Sequence, residues 1–169
     1  MDKEDFIVAI RDNQKLIYKI CHSYCTDAEN RKDLEQEILL QLWQSFKTFD
    51  GRVKLTTWMY KVALNTAISF YRNDRKQKQR KAVVANHIIA QQKEHDSADE
   101  NINLLYRFIN QLNEMDKALI LLYLDNHKYA EIATIMGLST TNVATKISRI
   151  KKALKQAFTN NQNQVAHGS

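Results

Sequence analysis

The sequence predicts an all-α protein made of two small helical domains joined by a polar linker, the second containing a helix-turn-helix. Proline is absent from the 169 residues and glycine occurs only three times, whereas strand-rich domains need turn residues far more often. Apolar side chains recur at helical intervals in both halves of the chain. The stretch between the halves is rich in Lys, Gln, His and Asp and poor in large apolar groups, which is typical of a linker.

The amino-terminal half predicts three helices. The first is expected over residues 3–25, with much of its apolar stripe formed by Phe6, Ile7, Ile10, Ile17 and Ile20. Thr26 and Glu29 have the spacing of a capping box, so a second helix is expected from there to about residue 47. The Asp50-Gly51 pair predicts a turn. A third helix, apolar on most sides, is expected over residues 55–71.

The domain boundaries follow from where the helical pattern stops and resumes. We expect a first domain over residues 1–75, a linker over residues 76–97, a second domain over residues 98–158 and a flexible tail over residues 159–169. A short helix is expected at residues 83–91 of the linker.

The carboxyl-terminal half predicts four helices. A second capping box, from Ser97 to Glu100, marks the start of the first of them. The four helices are expected at residues 98–111, 114–126, 128–136 and 139–157.

The net charge of +6 is unevenly distributed. Residues 1–75 carry 12 basic and 11 acidic side chains, whereas residues 76–95 carry five basic and one acidic, and residues 101–169 carry eight basic and four acidic. Clustered basic charge indicates a polyanionic partner, although any one cluster is also compatible with a solvated face. No apolar run approaches the ~18 residues that span a bilayer, and no signal-peptide pattern is visible. We therefore expect a cytoplasmic protein without membrane insertion.

The sequence offers little support for a metal, a cofactor or catalysis. Cys21 and Cys25 lie four residues apart beside His22, but a zinc site needs three or four convergent ligands. Buried free thiols are the simpler expectation. Asp33, Glu35 and Glu37 resemble metal ligands only in type, because no Gly-rich phosphate loop, nucleophile motif or His/Cys cluster accompanies them. We expect no metal, no cofactor and no enzymatic activity.

Residues 129–152 have the pattern of a helix-turn-helix. Ala133 is small where two helices must cross closely, Gly137 supplies a left-handed turn at the end of the first helix, and Ser139 is a suitable N-cap for the second. A buried stripe is expected on the second helix from Val143, Ile147, Ile150 and Leu154.

The opposite side of this second helix carries polar side chains suited to DNA. The expected outward residues are Asn142, Thr145, Lys146 and Arg149. Residues 139–158 contain five basic side chains and no acidic one. Amide and guanidinium groups bind base edges, and ammonium groups bind phosphates. The alternative is a generic helical hairpin with a solvated basic face.

Two stretches of the amino-terminal half point beyond simple duplex binding. Residues 33–43 combine an acidic-and-amide helix face with an apolar one. Trp58 and Asn65 share a helix face that is followed by Arg72 and Arg75. An aromatic ring near an amide and cations suits an unstacked base on single-stranded DNA. For Trp58 alone, a place in the core is the competing interpretation.

The whole chain resembles a bacterial RNA polymerase sigma factor of the extracytoplasmic-function type, a small class with two conserved domains. The resemblance covers about residues 5–75 and 101–155, in the family's order. It implies that residues 33–43 grip the clamp helices of the largest subunits of core RNA polymerase. It also implies that residues 49–72 melt and read the minus-ten element, and that residues 112–154 read the minus-thirty-five element as duplex.

The resemblance implies the following contacts: for core polymerase Asp33, Gln36, Glu37, Gln41 and Trp43; for the minus-ten element Trp58, Lys61, Asn65, Arg72 and Arg75; for the minus-thirty-five element Ser139, Asn142, Thr145, Lys146 and Arg149. Besides core RNA polymerase and promoter DNA, an anti-sigma factor is an expected partner. The chain departs from the family pattern at Leu39, Ser69, Asn113 and Ala144. Ala144 stands at a recognition-helix position that is often basic, which affects the expected sequence preference but not the class.

Two other functions are compatible with parts of the sequence. The first is a stand-alone helix-turn-helix regulator whose amino-terminal half senses a ligand or dimerises, and which binds a two-fold symmetric duplex unaided. The second is a nucleic-acid enzyme that uses the acidic side chains of Asp33, Glu35 and Glu37. Dependence of promoter binding on core polymerase separates the sigma-factor interpretation from the first.

Overall fold

The computed structural model describes residues 3–82 and 100–167, with side chains described for residues 3–78 and 101–160. The chain forms two compact units, Met1–Gln92 and Lys93–Ser169. The described residues form eight α-helices and no strand, which confirms the predicted all-α fold class. The helices are α1 Lys3–Asp12, α2 Gln14–Tyr24, α3 Ala28–Phe46, α4 Leu55–Ala82, α5 Glu100–Gln111, α6 Glu114–Leu124, α7 Tyr129–Met136 and α8 Thr140–His167.

The single helix predicted over residues 3–25 is wrong, because the chain breaks at Asn13 between α1 and α2. The Asn13 side-chain amide donates to the Ala9 carbonyl at 2.8 Å, and its backbone N–H donates to the Ile10 carbonyl at 3.1 Å. Asparagine competes for backbone partners in this way and disfavours a continuous helix. The break changes the helical phase, so Ile7, predicted in the apolar stripe, is 53% exposed.

The start of α3 differs in detail from the predicted capping box. Asp27, rather than Thr26, is the N-cap, and its carboxylate accepts from the backbone N–H of Asn30 at 2.9 Å. An aspartate suits this place, because its charge also faces the positive end of the helix dipole. The turn predicted at Asp50-Gly51 is present, with Gly51 at a φ of +73°.

The core of the first unit lies between α2, α3 and α4. Leu34, Ile38 and Leu42 of α3 are fully buried and recur every four residues along one side of the helix. They pack in a unit where Met59, Ala63 and Ala67 of α4 are also buried. Helices α3 and α4 pack side by side in this core, and small buried residues such as alanine let helix backbones approach closely.

Helix α4 is longer than predicted. The sequence pattern ended this helix near residue 71, but α4 continues to Ala82. Its extension is rich in Lys, Arg and Gln, which are good helix formers, and the Lys78 ammonium lies 2.7 Å from the Asp74 carboxylate one turn earlier. Residues 76–82 of the predicted linker are therefore helical. The rest of that linker, including the short helix predicted at residues 83–91, lies outside the described residues.

The second unit is built around α6. Ala118, Leu119, Ile120 and Leu122 are almost completely buried. Asn113, one of the departures from the family pattern, caps this helix: its side-chain oxygen accepts from the backbone N–H groups of Met115 and Asp116 at 3.1 and 2.9 Å. An asparagine N-cap stabilises a helix start by about 0.5–2 kcal/mol relative to alanine.

The last helix also runs further than predicted. Residues 159–169 were expected to fray, but α8 continues to His167. The Thr159 hydroxyl donates to the Lys155 carbonyl at 3.0 Å, which keeps this side chain within the helical hydrogen-bond pattern.

The two cysteines are buried free thiols in the core of the first unit, as predicted. Burial is the main cause that raises the pKa of Cys21 from 9.0 to about 12 and that of Cys25 from 9.0 to about 11. Nearby carboxylates, Glu35 for Cys21 and Asp27 for Cys25, raise both pKa values further. Because the thiolate is the reactive form, both side chains are chemically inert in the folded protein at neutral pH.

We predict that these thiols react with a thiol reagent at pH 8 only after unfolding. Since both pKa values are raised by folding, the stability they contribute is fully present below about pH 9 and is lost as the pH rises through 11 to 12. Unfolding should be followed at pH 8 and pH 11, with the Cys21→Ala/Cys25→Ala variant as the control for other titrating groups. Fast labelling of either thiol in the native protein at pH 8 would contradict this prediction.

Candidate nucleic-acid and polymerase interfaces

The face of α3 opposite its buried stripe carries the residues predicted to bind core polymerase. Asp33 and Gln36 are exposed, whereas Glu37 and Gln41 are half-buried. The Gln41 amide donates to the Glu37 carboxylate at 3.0 Å, which holds both side chains in place on successive turns. The structure thus places these four residues on one polar face.

This face also has an apolar centre, of which Trp43 was predicted from the sequence and Leu40 was not. Leu40 is 47% exposed and Trp43 is 38% exposed. The Trp43 ring packs edge-on against Phe6 of α1, with ring centroids 5.0 Å apart. Leu40 lies four residues after Gln36 and three after Glu37, so helical spacing alone already placed it among them. An exposed aliphatic and an anchored aromatic inside a polar rim are typical of a protein-binding surface.

A groove between α3 and α4 brings together residues that were predicted for two different partners. It has a volume of roughly 540 Å³ and contains Glu37 and Gln41 from α3 and Asn65 from α4. Its remaining lining residues are Thr66, Ser69, Phe70 and Asn73. The lining is mainly hydroxyl and amide groups, which both donate and accept hydrogen bonds and therefore suit the polar edge of a base or of a peptide.

The cations predicted for the minus-ten element lie on the exposed surface of α4. The cations Lys61, Arg72 and Arg75 and the amide Asn65 are all exposed. They recur at intervals of four, seven and three residues, which keeps them on one side of a helix. The structure therefore forms a continuous basic strip with Asn65 near its centre.

Trp58 lies at the start of α4 and is half-buried in an aromatic cluster. Its ring centroid is 5.2 Å from that of Phe49 and 6.1 Å from that of Phe46. These contacts attach the loop between α3 and α4 to the start of α4. In the same loop the Asp50 carboxylate accepts from the backbone N–H of Arg52 at 3.1 Å and lies 3.0 Å from its guanidinium group. Trp58 thus has a packing role, which is the competing interpretation of this residue in the sequence analysis.

In the second unit, α7 and α8 form the predicted helix-turn-helix. Gly137 ends α7 at a φ of +66° and a ψ of +35°, the left-handed conformation that glycine adopts without steric cost. The Ser139 hydroxyl oxygen accepts from the backbone N–H of Asn142 at 3.1 Å and so caps α8. Val143 and Ile147 are completely buried, and Ile150 is 4% exposed.

This buried stripe directs the predicted DNA-contacting residues outward. Ser139, Asn142, Thr145 and Arg149 are exposed. Lys146 is half-exposed, and its ammonium lies 3.9 Å from the carboxylate of Asp116 on α6. An exposed ion pair of this length contributes at most about 1 kcal/mol, so a phosphate can readily replace the carboxylate as the partner of Lys146.

Among the described residues, no group of three or more His, Cys, Asp or Glu side chains is arranged to hold a metal ion. Within the same residues, no helix is both long enough and apolar enough to span a membrane.

Comparison with protein families identifies both units. The sigma-70 region 2 model matches residues 9–77, and the sigma-70 region 4 model matches residues 102–154. Together these matches cover most of the chain, and one falls within each of the two units.

Individual relatives agree with the family match. The chain is 27% identical to RNA polymerase sigma factor SigV of Bacillus subtilis over 158 residues, which cover 90% of each chain. It is 24% identical to the ECF RNA polymerase sigma factor SigW of the same organism, over 92% of this chain and 89% of that protein.

Two solved structures have the same fold. The sigma factor RpoE, solved in complex with the anti-sigma factor NepR from Bartonella quintana, has a TM-score of 0.72 and 17% identity, covering 92% of this chain and 98% of that one. CnrH, solved in complex with the cytosolic domain of CnrY, has a TM-score of 0.66 and 17% identity, covering 94% and 90%. The chain belongs to the sigma-70 family of DNA-binding transcription initiation factors and is of the extracytoplasmic-function type.

Proposed function

We propose that this protein binds core RNA polymerase and directs it to promoters, reading the minus-thirty-five element as duplex and the minus-ten element as a melted strand. The observation that carries the proposal is the presence of both sigma regions in order, each with an exposed face of suitable chemistry. A stand-alone regulator needs only the second region. The protein then performs no catalysis itself and acts in the cytoplasm, where the polymerase works.

The surface proposed for core polymerase is the α3 face around Leu40. Glu37 offers a fixed carboxylate, because Gln41 holds it at 3.0 Å, and Asp33 adds a second exposed negative charge one turn earlier. Leu40 and Trp43 supply the apolar area that a stable interface needs. The clamp helices of the largest polymerase subunits are the proposed partner of this face.

The proposed minus-ten surface is the basic strip of α4 together with Asn65. An exposed amide forms a bidentate pair with a base edge, and the neighbouring Lys61, Arg72 and Arg75 bind the backbone phosphates. Trp58 positions the loop between α3 and α4 through Phe49, so we assign it a supporting role beside Asn65.

The proposed minus-thirty-five surface is the exposed side of α8. Residues at the amino-terminal end of a recognition helix reach base edges in the major groove, which describes Ser139 and Asn142 here. Arg149 has the fork geometry that pairs with guanine, and Lys146 is a point charge suited to phosphate.

We also propose an anti-sigma factor as a partner. Of the two solved structural relatives, RpoE was solved in complex with the anti-sigma factor NepR, and CnrH in complex with the cytosolic domain of CnrY. The exposed apolar centre at Leu40 and Trp43 offers such an inhibitor apolar area on the same face that is proposed for core polymerase.

The proposal as a whole is tested by adding purified core polymerase to the full chain and a promoter library. We expect selective promoter binding and open-complex formation only when both proteins are present. Equally tight, selective binding of a two-fold symmetric duplex by the chain alone would instead establish the stand-alone regulator.

Glu37→Lys should weaken binding to core polymerase about tenfold or more, because it places a like or unpaired charge in the interface. Glu35→Lys is the matched control, since Glu35 is exposed on the same helix but lies away from the face that contains Glu37 and Leu40. Affinity for core polymerase and thermal stability should be measured for both variants. Equal loss of affinity in the two, or wild-type affinity in Glu37→Lys, would contradict the assignment of this face.

Asn65→Ala should reduce open-complex formation and relax the preference at one minus-ten position, by about 1–3 kcal/mol for a lost base-edge contact. Since Asn65 is exposed, its thermal stability should change little. Asn73→Ala removes an equivalent amide from the same groove and should leave the base preference intact. If Asn65→Ala melts at a lower temperature with unchanged base preference, the residue is structural.

A further inference from the structure

Five cations lie along the first part of α8, and the structure separates them by direction. They are Lys146, Arg149, Lys151, Lys152 and Lys155. From the sequence, Lys151 and Lys152 are adjacent and chemically identical, so composition cannot distinguish them. Contacts with the neighbouring helices distinguish the two side chains.

Lys152 continues the row of residues that face outward from the buried stripe. Asn142, Thr145, Arg149 and Lys152 follow each other at intervals of three, four and three residues, and all four are exposed. At about 100° per residue these positions fall within an arc of about 80°. The buried Val143, which marks the opposite side, lies outside this arc.

Lys151 is turned away from that row and is held there. Its ammonium donates to the Tyr123 hydroxyl at 3.3 Å and lies 5.2 Å from the centre of the Tyr123 ring. The hydrogen bond from Lys151 to Tyr123 also raises the pKa of the lysine, because it favours the charged ammonium that donates it. The Tyr123 ring is itself 6.3 Å from that of Tyr129, which places Lys151 on an aromatic edge formed by α6 and α7.

The distance along the helix indicates what Lys152 contacts. Recognition helices place their first residues on base edges, here Ser139 and Asn142. At 1.5 Å per residue, Lys152 lies about 15 Å beyond Asn142 along the axis. The major groove is about 12 Å wide, so a flexible ammonium at this distance reaches the phosphates of the groove wall rather than the bases. Within the described residues, the Lys152 ammonium forms no ion pair that would have to be broken first.

We propose that Lys152 is a further phosphate-contacting residue of the α8 DNA face, and that its neighbour Lys151 does not contact DNA. This inference rests on the proposed function, in which α8 reads the minus-thirty-five duplex. It extends the DNA surface by one turn beyond Arg149 and assigns Lys151 to the packing of α8 against α6.

The test compares Lys152→Gln with Lys151→Gln in the full chain, each assembled with saturating core polymerase. Both changes remove one positive charge from adjacent residues of the same helix and keep a long, helix-compatible side chain. Affinity for promoter duplexes should be measured over a range of salt concentrations, for the cognate minus-thirty-five element and for its single-base variants. Circular dichroism and thermal melting check the fold of each variant.

For Lys152→Gln we expect the salt slope to fall by about 0.9, the value for one lost phosphate contact, with equal loss of affinity for every base variant. For Lys151→Gln we expect the wild-type slope. Equal slopes in the two variants, or a base-specific loss in Lys152→Gln, overturn the inference while leaving the proposed function standing. If wild-type chain with core polymerase does not select promoters, the proposed function itself fails.

Discussion

Leu34, Ile38 and Leu42 on α3, like Val143 and Ile147 on α8, lose all contact with solvent. Each unit has four helices among the described residues, and its core covers one side of α3 or α8 and leaves the other exposed. Burial of an aliphatic side chain is worth about 1.5–3 kcal/mol, whereas an exposed polar residue has little effect on stability. The buried stripe therefore sets the rotation of each helix, and the opposite side remains available for binding.

This constraint explains why the binding surfaces are simple helix faces rather than pockets. Glu37 and Asn65 point away from the stripes that bury Ile38 and Leu64, and they meet only because α3 and α4 pack side by side. The groove they share has an amide and hydroxyl lining. A contact on one helix of this groove is thus close to a contact on the other, so the proposed polymerase contacts and the proposed base contact occupy neighbouring parts of one surface.

Charge on these surfaces is distributed by the same packing. Lys146 lies near Asp116 and Lys151 lies on Tyr123, so two of the cations on α8 have protein partners in the free chain. A cation with a weak surface partner can exchange it for a phosphate at little cost.

The sequence by itself determined the all-α class and the helix-turn-helix, because both depend on local rules. Apolar spacing predicts a buried stripe, and Gly137 and Ser139 are the residues that a turn and an N-cap require. Helix ends were less predictable. The break at Asn13 and the extension of α4 to Ala82 depend on side-chain hydrogen bonds and ion pairs. Differences in intrinsic helix propensity between residues are about 1 kcal/mol or less, so such contacts can outweigh them. Only the tertiary structure decided that Trp58 packs on Phe49 and that Lys151 contacts Tyr123. These outcomes depend on which helix lies beside which, and side chains distant in sequence have no local signal for that.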